Sequence, residues 1–270
     1  KFQYLQGEQD EESFQFLDYF MEEEIDHNFH SFPYRFTPRT SKEHYISQVN
    51  TLKEHIQRGD IYEVNYCQEY FAENVEIDYP LDTYFKLNQI TKAPFSTFLQ
   101  TEHHAVFCGS PERYLKKSGN KIISQPIKGT AARGKDAEAD KQLKEQLQSD
   151  PKERSENIMI VDLVRNDLSR IAKKGTVKVT ELCGIHTFET VHQMISTIEC
   201  ELQENTVFTD VLRASFPMGS MTGAPKISAM KIIEELEETK RGLYSGAVGY
   251  FTPNNDFDFN VVIRSILYNA

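Results

Sequence analysis

Stretches of strand-like alternation and stretches of helical period follow one another along this chain with no repeating β-α-β order, and that irregularity constrains the fold more than any other feature. Regular alternation would build a doubly wound parallel sheet. The irregular order predicts instead a large mixed α/β core with largely antiparallel strands. No internal repeat or low-complexity tract breaks the pattern.

Thr40 and Glu43 have capping-box spacing, and Tyr45, Ile46, Val49, Leu52 and Ile56 make one apolar stripe that Gly59 ends. Ile61–Tyr70 reads as a strand and Leu81–Gln89 as a helix. Phe95–Leu99 and Ala105–Cys108 read as paired strands, and Lys121–Ile127 as another. Ala137–Gln148 and Pro151–Lys173 are predicted helices, the second with Pro151 in its first turn. Val177–Leu182 and Met194–Cys200 follow as strands, then Phe208–Ala214 and Pro225–Glu238 as helices. Ser245–Phe251 and Phe257–Tyr268 are expected to close as a hairpin around Pro253-Asn254-Asn255. Residues 1–35 are acidic and aromatic and read as a linker or the remnant of an N-terminal region. Residues 36–270 read as one domain. The chain begins at Lys1, not Met, so a preceding segment is expected.

The balance of charge narrows the partners. The 270 residues carry a net charge of -11 with no basic stripe, which argues against nucleic acid. A few local cations could still serve a small anionic substrate. No apolar run approaches the ~20 residues that span a bilayer. The four cysteines have no CxxC spacing and read as free thiols in a reducing cytoplasm.

Five constellations can carry chemistry. Lys128 ends an apolar strand within Pro126-Ile127-Lys128-Gly129-Thr130, where burial would favour a neutral, nucleophilic amine; a surface lysine in a turn would look the same. Glu112, in Ser110-Pro111-Glu112-Arg113, lies where a strand meets a turn and suits a protonated general acid, although a surface ion pair with Arg113 or a lysine is the plainer alternative. Glu153 and Glu156, three apart on a helix, share a face and suit Mg2+, or are simply solvated. Gly219, Thr222 and Gly223 belong to a small-residue loop that opens a helix and could hold an anion, or be a plain turn. Tyr250 and Arg264, on the terminal hairpin, suit a carboxylate, unless Arg264 pairs with Asp256 or Asp258.

Taken in order, these motifs resemble the chorismate-utilising enzymes: anthranilate, aminodeoxychorismate, isochorismate and salicylate synthases. The resemblance runs from about Phe36 to Ile266 and also includes Gly59-Asp60-Ile61-Tyr62-Glu63-Val64-Asn65, Ala93-Pro94-Phe95, Asp150–Arg170 and Gly246–Tyr250. It implies a four-layer α/β/β/α sandwich of the anthranilate synthase type, cropped at both ends. Pro126–Thr130 looks like the signature of the aminodeoxychorismate-forming members; anthranilate-forming members typically have alanine at Lys128. The resemblance implies that Lys128 attacks C2 of chorismate while Glu112 protonates the departing C4 hydroxyl. Ammonia from a glutamine amidotransferase subunit then adds at C4 and expels the lysine. It further implies Mg2+ on Glu153 and Glu156, and substrate contacts from the Gly219–Gly223 loop, Tyr250 and Arg264. An anthranilate-forming enzyme and a non-catalytic chorismate-binding or partner-docking fragment remain the alternatives.

Three departures from the family pattern stand out. A family histidine falls at Gln193, with His192 adjacent, so either Gln193 lines the site or His192 reaches it through a bulge. Glu63 stands where an amide is usual, and the absence there of the water-activating lysine of isochorismate-forming members argues against water as nucleophile. A second pair of metal carboxylates is expected beyond the Ile263-Arg264 strand, past the last residue given.

Overall fold

The computed structural model describes residues 34–269. The linker expected over residues 1–35 therefore lies almost wholly outside the described residues. In chain order the elements begin with strand β1 (Thr37–Pro38), helix α1 (Lys42–Arg58), β2 (Glu63–Val64), β3 (Tyr70–Phe71), helix α2 (Pro80–Thr91), β4 (Phe95–Gln100) and β5 (His104–Ser110). Next come β6 (Arg113–Ser118), β7 (Lys121–Gln125), β8 (Ile127–Ala132), α3 (Ala137–Ser149) and α4 (Pro151–Ser169). The rest comprises β9 (Lys178–Thr187), β10 (Val191–Glu201), α5 (Phe208–Ser215), a 3-10 turn (Gly219–Met221), β11 (Gly223–Ala224), α6 (Lys226–Leu236), β12 (Gly249–Phe251), β13 (Phe257–Asn260) and β14 (Ser265–Asn269).

As the irregular element order predicts, the fold is mixed α/β and these strands pair antiparallel throughout. A seven-stranded sheet runs β12-β13-β6-β7-β10-β8, with β9 on the other edge of β10. A three-stranded sheet runs β14-β5-β4, and β11 pairs with β2. Helix α4 lies on the large sheet. Its Ile160, Val161, Val164 and Leu168 recur at helical spacing and meet Leu115, Ile122 and Ile198 of the strands. Each such side chain contributes about 1.5–3 kcal/mol by leaving water. Strand β5 is buried from Ala105 to Ser110, so both faces of its sheet are covered. On one face Gly109 abuts Thr91 of α2, where an added Cβ would come within 2.7 Å of that side chain. On the other, Val106 and Cys108 pack with Val262 and Val248.

Several boundaries differ from the predicted ones. Ser41, not Thr40, caps α1 by accepting from the His44 N–H, while the Thr40 hydroxyl donates to Glu238. Of the expected Ile61–Tyr70 strand only Glu63, Val64 and Tyr70 lie in paired strands, the first two as β2 and the last as the start of β3. The Lys121–Ile127 strand is interrupted at Pro126, which has no N–H to give a ladder. Helix α4 stops at Ser169 and α6 begins only at Lys226. The terminal hairpin forms between β12 and β13, but the second strand breaks over 261–264. There Arg264 takes φ 50, and β14 crosses to the other sheet to pair with β5. No helix among the described residues is long and apolar enough to cross a membrane.

Candidate active site

Strand β2 is short, yet its geometry sets the pocket. Successive residues of a strand point to opposite faces. Val64 packs against the cluster of Leu52, Ile61, Ala229 and Ile232. Its neighbours Glu63 and Asn65 therefore share the opposite face, and both meet Lys128. The Lys128 amine lies 2.6 Å from Glu63 Oε1 and donates to Asn65 Oδ1 at 3.2 Å. Both members of the Lys128–Glu63 pair are largely buried, with side chains 15% and 11% exposed. Neither Glu63 oxygen makes a well-aligned hydrogen bond, so the contact is one of charge.

Glu112 is brought to the same place from β6. Its backbone is fixed by Ser110 Oγ, which accepts from the Glu112 N–H, and by Val261, whose N–H donates to the Glu112 carbonyl. Burial pushes its carboxyl up to about 7, against the opposing pull of Ser220, the Lys128 charge and the Ile127 N–H. The surface ion pair with Arg113 does not form. Arg113 instead makes a bidentate pair with Asp258, at 2.9 and 3.0 Å, and stacks over Phe95. A buried acid that titrates near neutrality can deliver a proton to a leaving group.

The Gly219–Gly223 segment serves the pocket as a wall. The Met221 and Thr222 N–H groups close its 3-10 turn onto Met218 and Gly219, and the Thr222 hydroxyl also donates to the Met218 carbonyl. Those two N–H groups are thus committed to the turn itself. Gly223 has φ +148 and pairs with Val64; a Cβ there would lie 2.2 Å from the Glu63 carbonyl. Only glycine lets β11 approach β2 this closely. Arg241 ties the two segments together by donating to the Met221 and Asn65 carbonyls while paired with Glu237.

The remaining predicted residues are spread around this centre. Gln193 pairs in register with Thr130, two residues from Lys128, and its side-chain oxygen is buried without a partner. His192 points the other way. Its ring bonds Thr187 and Asp140 at 3.0 Å each, and although β10 is irregular just beyond, between Gln193 and Ile195, the histidine stays on that far side. Glu153 reaches the Gly129 turn, its Oε2 3.1 Å from where a Gly129 Cβ would be. Glu153 and Glu156 share the Lys152 ammonium, at 4.0 and 3.5 Å. Tyr250 and Arg264 are exposed. The aspartates offered as partners for Arg264 are taken, Asp256 by Lys117 and Asp258 by Arg113.

The sequence profile of chorismate binding enzymes matches residues 3–270. The chain belongs to this family. Among its relatives, the aminodeoxychorismate synthase component 1 of Bacillus subtilis is 40% identical over 81% of this chain and 46% of its own length. That of Escherichia coli is 40% identical over 84% of this chain and 49% of its own. An anthranilate synthase component I-like protein of Synechocystis is 37% identical over 88% and 49%. The crystal structure of anthranilate synthase component I from Streptococcus pneumoniae superposes with a TM-score of 0.80 at 30% identity, covering 95% of this chain and 57% of that one. The chain thus spans about half the length of the curated relatives it matches.

Within this chorismate binding enzyme, sequence reasoning missed Asn65, Ser220 and Arg241. Glu63 was noticed only as a departure from a family pattern. Its period-two spacing to Asn65 was the available signal. Nothing in the sequence pointed to Ser220 facing Glu112, or to Arg241 clamping Asn65 across 176 positions.

Proposed function

We propose that this chain carries the amination site of an aminodeoxychorismate synthase large subunit. It converts chorismate and ammonia to 4-amino-4-deoxychorismate for p-aminobenzoate and folate. The observation that supports this most is the meeting of a lysine amine and a neutral-range carboxylic acid in one buried pocket. Lys128 forms a bond to C2, and Glu112 protonates the C4 hydroxyl, which is a poor leaving group otherwise. Ammonia, supplied by a glutamine amidotransferase subunit, then enters at C4. Gln193, Thr222, Tyr250 and Arg264 contact the substrate, with the two glycines of the turn giving it room. The four thiols are free, which suits a reducing cytoplasm.

Glu153 and Glu156 would hold Mg2+. Their oxygens suit that hard cation, which would displace the Lys152 ammonium that both now share. Among the described residues no third His, Cys, Asp or Glu completes a metal cage. That fits magnesium, which commonly uses one or two carboxylates and takes its other oxygens from water or substrate. The ion would supply charge neutralisation for a substrate carboxylate.

The test is to incubate the full-length protein with chorismate, ammonium and magnesium, then add a lyase. Expected is p-aminobenzoate only after the lyase. Direct release of anthranilate would instead make this an anthranilate synthase. Lys128→Ala should lower amination about 10³-fold or more, as loss of a covalent nucleophile does. Full activity in that variant would remove the nucleophile from the scheme.

A further inference from the structure

Glu112 lies at a junction that regular strand pairing does not fix. Strand β5 of the three-stranded sheet ends at Ser110, and β6 of the seven-stranded sheet starts at Arg113. Pro111 and Glu112 are therefore the whole crossover between the two sheets. Just past it β6 is bulged on both sides. Arg113 pairs with Gln125 but Lys116 with Ile123, and Arg113 pairs with Asn260 but Leu115 with Phe259, so β6 carries one extra residue here against each neighbour. A bulge bends its strand and interrupts the ladder locally. The bonds to the Glu112 backbone come from Ser110 and from Val261, which follows β13 on the other segment that crosses between the sheets.

The Arg113 side chain spans this junction. Its guanidinium makes two bonds to Asp258 of β13, at 2.9 and 3.0 Å, and donates to Gln125 of β7. It also lies 4.7 Å from the ring centre of Phe95 in β4. One group thus holds two strands of the large sheet and one of the small sheet, on the residue next to the acid. The planar fork and the stack both need a guanidinium, and a lysine supplies neither. The amination scheme gives this cluster no task. We infer that Arg113 is a positioning residue: by clamping the two sheets together at their crossover, it keeps the Glu112 carboxyl out of water and aimed at the departing hydroxyl. It acts only through Glu112. The aim at a hydroxyl rests on the amination reading; the burial of the carboxyl does not.

The test reads the acid directly, in the full-length protein. The carboxyl stretch of Glu112, identified in infrared spectra by its loss in Glu112→Gln, should titrate at about 7 in wild type. In Arg113→Ala water reaches the carboxyl, and the titration should move down by about one pH unit or more, toward 4.5. With ammonium chloride as nitrogen source, kcat should fall about 10–10²-fold, because a shift of about 1 Å in a reacting group costs that much. KM for chorismate should change less than about threefold. Added guanidinium chloride should restore part of both losses, whereas Arg113→Lys, which keeps the charge alone, should resemble the alanine variant. Asp258→Asn removes one partner and little bulk. It should show the same two changes at smaller size, and it decides the matter if Arg113→Ala does not fold. A Glu112 titration that stays at its wild-type position in the folded variants overturns the inference even where turnover is lost, and so does unchanged turnover. Failure of the wild-type chain to aminate chorismate would instead sink the amination reading and leave the infrared result standing.

Discussion

Two lysines in this molecule lie against largely buried carboxylates, and the pairs are built for different ends. Lys226 donates to Asp167 and to the Ser215 carbonyl, and so joins the start of α6 to α4 and the end of α5. Burial pushes Asp167 up and Lys226 down, and each opposes the other's shift by its charge. Lys128 has a similar exposure, 15% against 13% for Lys226. Yet its partner Glu63 has no well-aligned hydrogen bond, and Asn65 Nδ2 and Gln193 Oε1 are likewise buried without partners. Native proteins rarely leave buried polar atoms unmatched, and such atoms mark places where a ligand or water completes the set. The first pair closes a structure; the second leaves polar atoms around it unmatched.

Beside the loss expected of Lys128→Ala, a large effect at the open centre belongs to Glu112. Glu112→Gln should lower kcat about 10²–10⁴-fold, the range for loss of a general acid. The same substitution should change the pH dependence of stability. The folded carboxyl is raised from 4.5 to about 7, so the folded protein keeps a proton that the unfolded chain releases over that window. Stability is therefore highest below 4.5 and declines as pH rises through 7, by about 3 kcal/mol in all. A glutamine escapes this penalty. Urea melts should find the variant up to about 3 kcal/mol more stable than wild type at pH 8 and nearly equal to it at pH 4. Parallel pH curves would mean that Glu112 is not held in a poorly solvated site.

At the closed centre, stability should move and chemistry should not. Lys226→Met leaves Asp167 charged and unpaired in the core, which costs about 3–5 kcal/mol. Lys128→Met should cost less, about 1–2 kcal/mol, because Glu63 makes no aligned hydrogen bond and its side chain is more exposed than that of Asp167, 11% against 7%. Thermal melts of the two variants side by side would test the contrast. Equal losses would erase the distinction between the pairs.

The same contrast explains what was legible in the sequence. Lys128 and Glu112 could be singled out because each lies near a strand boundary beside a turn, a local feature. The mixed antiparallel fold followed from element order, α1 from its apolar stripe, and the start of α4 from Pro151. What stayed hidden depends on distant chain segments meeting. Pro126 breaks a strand that apolar pattern alone would continue, and Arg264 turns β14 toward the other sheet. In the Gly219–Gly223 turn two N–H groups, those of Met221 and Thr222, are spent on its own 3-10 turn, and its last glycine is spent on contact with β2. No local pattern announces that second contact.

The smallest expected effect comes from His192, and it separates two neighbours on one strand. Its ring is held by Thr187 and by Asp140, whose carboxyl is itself kept well below the usual range, first by Arg133. His192→Gln should therefore cost stability, about 1–2 kcal/mol for two lost hydrogen bonds in a buried place. Its kcat and KM for chorismate should stay within about threefold of wild type, since alternate faces of β10 keep it from the Lys128 side. Gln193→Leu, by contrast, keeps the bulk and removes a polar group that faces the pocket, so its KM for chorismate should rise while its melt changes little. Steady-state kinetics on both variants decide the matter. If His192→Gln loses turnover and Gln193→Leu does not, the face assignment of β10 is reversed, and the histidine belongs to the chemistry after all.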